Sequence, residues 1–132
     1  MFRYQTSVCS TDIDAAGIMF YANFFTFIHD AYEAFMDHQG MSILKIVSSE
    51  EWLLPIVHAE ADYQKSLQGC EQITVELEIG EIGKHSFIML YQLKDEKQAL
   101  VATAKTVHVA VSKKTQKKIQ LPDPLIEALT RA

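Results

Sequence analysis

The chain has 132 residues, with 12 basic and 17 acidic side chains and a formal net charge of −5. Its 48% of hydrophobic residues is typical of one folded domain, residues 1–132, and excludes disorder over most of the chain. The acidic balance argues against nucleic acid as the partner, because phosphate backbones attract basic surfaces. No apolar run is long enough to span a membrane, and residues 1–5 do not begin a signal peptide. We therefore expect a cytoplasmic protein with no membrane partner.

The first half of the sequence predicts one strand and two helices. Apolar and polar side chains alternate over residues 2–9, which indicates a half-buried strand. Residues 10–17 break this alternation and form a loop. From residue 22 to 39, apolar residues recur at steps of three and four, which predicts a long helix with Asn23 as a candidate cap. A short helix is predicted over residues 42–48.

The second half predicts four strands and a short terminal helix. Alternating segments at residues 55–63, 71–81, 86–93 and 99–111 indicate strands, and residues 125–130 indicate the helix. One apolar helix followed by antiparallel strands predicts an α+β layered fold. The last strand is unusually long, and we expect it to pair with a second copy across a two-fold axis.

Two carboxylates, Asp12 and Asp14, lie in the loop with Gly17, just before the long helix. A carboxylate near apolar neighbours can act as a nucleophile or a general base. The first N–H groups of the helix, near Tyr21, can stabilise a developing negative oxygen. Together these features are consistent with acyl-transfer chemistry. The alternative is a turn in which the aspartates only accept backbone hydrogen bonds.

Two groups of residues have the composition of metal ligands. His29 and Glu33 are four residues apart on one helix, and His58, Glu60 and Asp62 share one face of a strand. A polar helix pair explains the first group better, and a solvated or subunit-facing stripe explains the second, so we expect no metal. No glycine loop that could cradle phosphates is present in the sequence, and we expect no cofactor.

Basic residues form two clusters in this acidic chain. Lys84, His85 and Ser86 follow a glycine at the start of a strand, and four lysines lie within residues 113–118. Such clusters can bind phosphate groups, for example those of coenzyme A, or can be ordinary solvated turns. His108 alternates out of an apolar strand and is expected to be a buried or interface histidine with its polar atoms satisfied.

The segment Asp-Ile-Asp-Ala-Ala-Gly-Ile-Met-Phe-Tyr-Ala-Asn-Phe, residues 12–24, resembles the motif of hot-dog-fold acyl-CoA thioesterases of the 4-hydroxybenzoyl-CoA thioesterase type. The resemblance covers nearly the whole chain and is strongest to the 1,4-dihydroxy-2-naphthoyl-CoA thioesterases of phylloquinone and menaquinone synthesis. The supporting segments are residues 29–33, 54–59 and 106–109. Tyr21 stands where Tol–Pal-associated relatives have a histidine. Leu54 replaces the threonine of the 4-hydroxybenzoyl enzyme.

The resemblance implies a long central helix wrapped by a bent five-stranded antiparallel sheet. It also implies a homodimer or homotetramer with the active site at the subunit interface. In this family pattern Asp14 matches the catalytic carboxylate and Tyr21 provides the backbone N–H that polarises the thioester carbonyl. Lys84, His85 and Ser86 match the segment that contacts coenzyme A.

The residues expected to bind the acyl group, if the resemblance holds, surround Asp14. They are Gly17, Phe20, Phe24, Leu54 and Pro55. Aromatic walls favour a flat ring, so our leading hypothesis is an aromatic acyl-CoA thioesterase. The alternatives are a general thioesterase for short or medium acyl chains and a non-catalytic protein that binds acyl thioesters.

Overall fold

The computed structural model describes residues 1–8, 15, 21–67 and 71–131. In chain order its elements are β1 (Phe2–Ser7), α1 (Asn23–His38), α2 (Ile43–Ser49), β2 (Trp52–Leu53), β3 (Ile56–Tyr63), β4 (Gln72–Ile82), β5 (Ser86–Lys94), β6 (Leu100–Val109), β7 (Val111–Ser112) and α3 (Asp123–Thr130). The predicted helices and main strands are confirmed with small shifts of their ends. The described part of the chain contains no helix that is both long and apolar enough to cross a membrane.

The main sheet has five strands in the order β1-β4-β5-β6-β3, and each neighbouring pair is antiparallel. Alternation places Val75 and Leu77 of β4 on the buried face, where they lie opposite Tyr4 and Phe2 of β1. β2 and β7 form a separate two-stranded sheet. One helix layer on one antiparallel sheet is the α+β architecture that the sequence predicts.

Helix α1 packs on the buried face of the sheet. Its buried side chains recur at helical spacing: Phe24, Phe27, Ile28, Ala31, Tyr32, Phe35 and Met36. Each large apolar side chain buried in this way contributes about 1.5–3 kcal/mol to folding. The predicted cap is wrong: the cap position is Ala22, which has no capping side chain, and Asn23 is the first helical residue. In the first turn, the N–H groups of Phe24 and Phe25 instead bond the carbonyls three residues earlier, those of Tyr21 and Ala22. Each donor is 3.2 Å from its acceptor.

The long strand predicted over residues 99–111 is interrupted at Ala110. The Ala110 N–H bonds the carbonyl of His85 at 3.0 Å, and its carbonyl accepts from Ile119. This turns the chain out of β6 and into β7. Because β6 lies between β5 and β3 and pairs with both, the prediction that it pairs across a two-fold axis is wrong. The edges of the described sheet are β1 and β3.

Candidate active site

The N-terminal turn of α1 is held by the last residue of β3. The hydroxyl of Tyr63 donates a hydrogen bond to the carbonyl of Tyr21 at 3.1 Å. The Tyr63 ring packs edge-on against Phe24, with ring centres 4.6 Å apart. Partial burial raises the pKa of Tyr63, which keeps the hydroxyl protonated as a donor. This hydrogen bond therefore holds the Tyr21–Ala22 peptide group, which directly follows the Tyr21 N–H at which we expect the thioester carbonyl to bind.

A cavity of about 400 Å³ lies beside this turn, lined by Tyr21, Phe24 and residues 63–67. Asp14, Gly17 and Phe20, which the sequence assigns to the site, lie outside the described residues, and their assignments remain predictions. Sequence reasoning did not select Tyr63. The signal was present, since alternation in residues 55–63 places Tyr63 on the same face as Ala59 and Ala61.

Leu54 and Pro55 lie at the other end of β3. They line a cavity of about 520 Å³ between α2, β2 and β7. Pro55 is eight residues before Tyr63, and at ~3.3 Å for each residue it lies roughly 26 Å from the Tyr63 end. Within one chain, the expected cluster of these two residues around the helix start is therefore not formed.

The basic segment of Lys84, His85 and Ser86 lies at the same end of the sheet as Leu54 and Pro55. Ser86 is opposite Val109 in the ladder, and the carbonyl of Pro55 accepts from Val109 at 3.1 Å. His85 Nδ1 is 3.0 Å from the carbonyl of Ile119, just after the lysine-rich turn.

The lysine-rich turn itself reaches the same cavity. Lys113 lines the 520 Å³ cavity, and its ammonium group donates to the carbonyl of Val47 at 2.5 Å. Of the two basic clusters, only Lys113 lines this cavity, and the segment of Lys84 to Ser86 lies at the same end of the sheet without lining it. A cation beside an apolar cavity is a pattern that suits a phosphate-bearing ligand with an apolar end.

Between the two ends, a smaller cavity of about 220 Å³ separates α1 from β3 and β6. Its lining is Phe25, Ile28, His29, Ile56, Ala59, Tyr91 and Thr106. Ala59 faces Thr106 across the strands, and its small side chain leaves the space unfilled. His29 and Ile56 also line the 520 Å³ cavity, so the two spaces adjoin along α1.

His108 is fully buried at the base of this region. Its ring is stacked between Phe87 and Tyr32, with centres 4.8 and 4.4 Å away. Burial lowers the pKa of His108 to about 4, with a smaller contribution from His29, so the imidazole is neutral near pH 7. The expectation of a satisfied histidine is half right: Nε2 is 2.7 Å from the Thr106 hydroxyl, but Nδ1 has no partner among the described residues.

The two sets of metal-ligand residues form exposed polar pairs. Nε2 of His29 lies 2.8 Å from Oε1 of Glu33, and Nε2 of His58 lies 2.9 Å from Oε1 of Glu60. Within the described ranges, no group of three or more histidine, cysteine, aspartate or glutamate side chains is arranged to hold a metal ion. These pairs are too exposed to contribute much to stability.

Comparison with known proteins gives consistent similarities over nearly the whole chain. Residues 8–129 match the model of a family described as the thioesterase-like superfamily. A Synechococcus elongatus protein named 1,4-dihydroxy-2-naphthoyl-CoA hydrolase is 33% identical over 125 residues, which cover 94% of this chain and 91% of that protein.

Two solved structures show the same arrangement of elements. The crystal structure of a 1,4-dihydroxy-2-naphthoyl-CoA thioesterase from Synechocystis has a TM-score of 0.91 at 31% identity, covering 97% of this chain and 94% of that one. A Staphylococcus aureus protein solved in complex with CoA has a TM-score of 0.88 at 20% identity, covering 96% of this chain and 80% of that one. The second likeness concerns the fold alone.

Proposed function

The chain belongs to the thioesterase-like superfamily, and on that premise we propose that it hydrolyses 1,4-dihydroxy-2-naphthoyl-CoA in phylloquinone or menaquinone synthesis in the cytoplasm. The family and the hot-dog fold expected from residues 12–24 are confirmed. The chain is an acyl-CoA thioesterase. The acyl group, the pathway, the compartment and the residue roles are the proposal.

The observation that carries the choice of acyl group is the similarity to the named hydrolases, at 33% identity over more than nine tenths of both chains. The structure adds a physical argument. The apolar cavities along α1 are walled by aromatic rings, including Phe25 and Tyr32, that favour a flat ring system. A bicyclic ring buries more apolar area there than a monocyclic one.

The proposed chemistry adds water across the thioester carbonyl. The C–S bond breaks, the acyl carbon gains a hydroxyl group, and the thiolate of coenzyme A leaves and takes up a proton. Asp14 acts either as the base that deprotonates water or as a nucleophile whose mixed anhydride water then cleaves. The backbone N–H of Tyr21 stabilises the charge that develops on the carbonyl oxygen.

A second copy of the chain is needed to assemble this site, and β3 is the strand that we propose for the contact. Ile56, Val57 and Tyr63 leave 41%, 59% and 44% of their surface exposed on this edge. An exposed apolar edge strand is usually covered by another chain. The opposite edge, β1, instead presents Arg3, which is paired with Glu76 at 2.8 Å.

Antiparallel pairing of two β3 strands about a two-fold axis sets the Tyr63 end of each copy against the Ile56 end of the other. That arrangement brings Leu54 and Pro55 of one copy beside Tyr21 of the other, together with the segment of Lys84 to Ser86. The basic segment then meets the phosphates of coenzyme A, while the thioester reaches Asp14. We therefore propose a homodimer, or a tetramer built from such dimers, with two shared sites.

The catalytic assignment is tested by Asp14→Asn, with Asp12→Asn as the matched control in the same loop. We expect kcat to fall by on the order of 10² to 10⁴-fold for Asp14→Asn, with little change in KM and a milder effect for the control. The acyl group is tested with dihydroxynaphthoyl-, benzoyl-, hexanoyl- and palmitoyl-CoA. Equal or faster turnover of the aliphatic substrates would contradict the aromatic assignment and favour a general thioesterase.

The shared site is tested by mixing two inactive variants. Asp14→Asn removes the carboxylate, and Leu54→Lys blocks the other end of the proposed site. Mixed dimers would carry one site with both defects and one intact site, so co-expression should restore about one quarter of wild-type activity. Light scattering should show a dimer or tetramer. An active 15.0 kDa monomer, or no recovery on mixing, would contradict the shared site.

A further inference from the structure

A row of polar side chains runs through the apolar core beside the cavities. The Tyr91 hydroxyl is 2.8 Å from the Thr106 hydroxyl, which is in turn 2.7 Å from Nε2 of His108. His108 stacks on Tyr32. Among the buried side-chain atoms of the described residues, the Tyr32 hydroxyl and His108 Nδ1 have no hydrogen-bond partner. Buried polar groups are normally satisfied, so both atoms call for an explanation.

The row lies in the walls of the two adjoining cavities. Tyr91 and Thr106 line the 220 Å³ cavity, and Tyr32 lines the 520 Å³ cavity. The rest of both walls is mostly apolar, with His29 at the junction. A mostly apolar cavity with a few converging polar groups is typical of a site that binds a ligand and selects its orientation.

The direction of the hydrogen bonds can be argued from burial. If Tyr91 donates to Thr106 and Thr106 donates to His108, the neutral imidazole carries a hydrogen on Nδ1 that no described residue accepts. If His108 donates first, only a lone pair remains unpaired on Nδ1. Each direction leaves one hydrogen without a partner, on His108 Nδ1 in the first and on Tyr91 in the second. Because Tyr91 lines the 220 Å³ cavity and His108 lines neither cavity, the second direction is favoured. It leaves the hydrogen of Tyr91 available to a molecule in the cavity.

Tyr32 is also a donor in this environment. Burial raises the pKa of its hydroxyl far above its ordinary value, with smaller contributions from Tyr91 and Glu33, so the group stays protonated. Burial likewise raises the pKa of Tyr91 to about 12. Two protonated phenols therefore lie in the walls of cavities that otherwise offer few polar contacts.

We propose that the hydroxyls of Tyr32 and Tyr91 bind hydroxyl groups on the ring of the bound acyl group and so select hydroxylated aromatic acyl-CoA over its unhydroxylated counterpart. This inference rests on the proposed function, because it assumes that the acyl group enters these cavities. The Tyr32 oxygen is buried, so a ligand hydroxyl bonds it only after a neighbouring side chain moves aside, and an analogue without that hydroxyl leaves the oxygen unpaired. Such a site distinguishes substrates by whether they complete the hydrogen bonds of its buried hydroxyls, as well as by their size.

The test compares 1,4-dihydroxy-2-naphthoyl-CoA with 2-naphthoyl-CoA in the variants Tyr32→Phe and Tyr91→Phe. Wild-type protein should favour the hydroxylated substrate in kcat/KM, and each variant should lower that ratio by about tenfold. Turnover of 2-naphthoyl-CoA should not fall. Tyr4→Phe on β1 is the matched control and should leave the ratio unchanged. A ratio within twofold of wild type in both site variants would overturn the proposal, whatever their melting temperatures.

A binding measurement separates this inference from the proposed function. Calorimetry with 1,4-dihydroxy-2-naphthoate and 2-naphthoate needs no turnover. If wild-type protein hydrolyses neither thioester, the proposed function fails. The inference then stands only if the hydroxylated acid binds more tightly and Tyr32→Phe or Tyr91→Phe removes that difference. Equal binding of the two acids would overturn it.

Discussion

The two halves of the helix-facing sheet surface differ in how completely they are filled. Under β1 and β4, large side chains pack directly against α1: the ring of Phe2 meets Phe35 edge-on with centres 5.6 Å apart, and Val75 and Leu77 are at most 1% exposed. Under β3 and β6, small or polar residues face the helix, and a cavity of about 220 Å³ remains. It adjoins the cavity of about 520 Å³ between α2, β2 and β7.

This difference separates stability from binding along one helix. Closely packed side chains make van der Waals contacts that side chains around a cavity lack. The filled half therefore contributes more to the free energy of folding. The open half makes fewer of these contacts, and its cavities leave room for a ligand beside the exposed edge strand. Substitutions in the filled half should therefore affect unfolding, and substitutions in the open half should affect substrate preference.

The largest expected effect on stability is in the filled half. Leu77→Ala removes a fully buried side chain between β1 and β5, and should lower the free energy of unfolding by about 2–5 kcal/mol. Urea denaturation measures this change. The preference for aromatic over aliphatic acyl-CoA should stay unchanged, and a shifted preference would contradict the division between the halves.

Acid should destabilise the protein through the buried histidine of the open half. The pKa of His108 falls from 6.5 to about 4 on folding, so the unfolded chain binds a proton that the folded chain does not. Stability therefore falls as pH drops from about 6.5 to 4, by about 3 kcal/mol from this residue. His108→Gln should remove that slope in denaturation curves taken at several pH values.

The carboxylates affect the stability of the protein at lower pH than His108 does. Hydrogen bonds from Lys94 and Arg3 lower the pKa of Glu76, so its contribution is present above the ordinary carboxyl pKa and is lost below it. Wild-type and His108→Gln proteins should therefore lose stability in parallel below pH 4. Identical slopes between pH 6.5 and 4 would contradict the role given to His108.

Filling the open half should affect activity more than stability. Ala59→Leu projects a larger side chain into the 220 Å³ cavity. We expect kcat/KM for the aromatic substrate to fall tenfold or more, equivalent to about 1.4 kcal/mol, with a stability change of about 1 kcal/mol or less. Asp62→Leu, on the opposite face of β3, is the control. Unchanged kinetics in Ala59→Leu would place the acyl group elsewhere.

The smallest expected effect concerns the end of β3. Tyr63→Phe removes one hydrogen bond to the carbonyl of Tyr21, worth about 1 kcal/mol. We expect kcat to fall about fivefold with KM nearly unchanged, because the helix start is less well positioned for the developing charge. Steady-state kinetics with Tyr4→Phe alongside tests this. A rise in KM alone would indicate a binding role instead.

Much of the fold followed from local patterns, and part of the candidate site did not. The period of the apolar residues identified α1 and the main strands. The same alternation continues through Ala110 into Val111, so nothing in the pattern marked the turn where the Ala110 backbone bonds His85 and Ile119. The loop motif pointed to Tyr21, but the contact from Tyr63, 42 residues away, depends on tertiary structure.

The sequence by itself determined the element types, the α+β class and the family, because side-chain periodicity and a contiguous motif are local properties. Only the tertiary structure decided the strand order, and with it which edge is exposed. That order places β6 inside the sheet, leaves β3 at the edge, and separates Leu54 from Tyr21 along one strand. Pairing between distant strands depends on nonlocal hydrogen bonds and packing, which the period of a single segment does not encode.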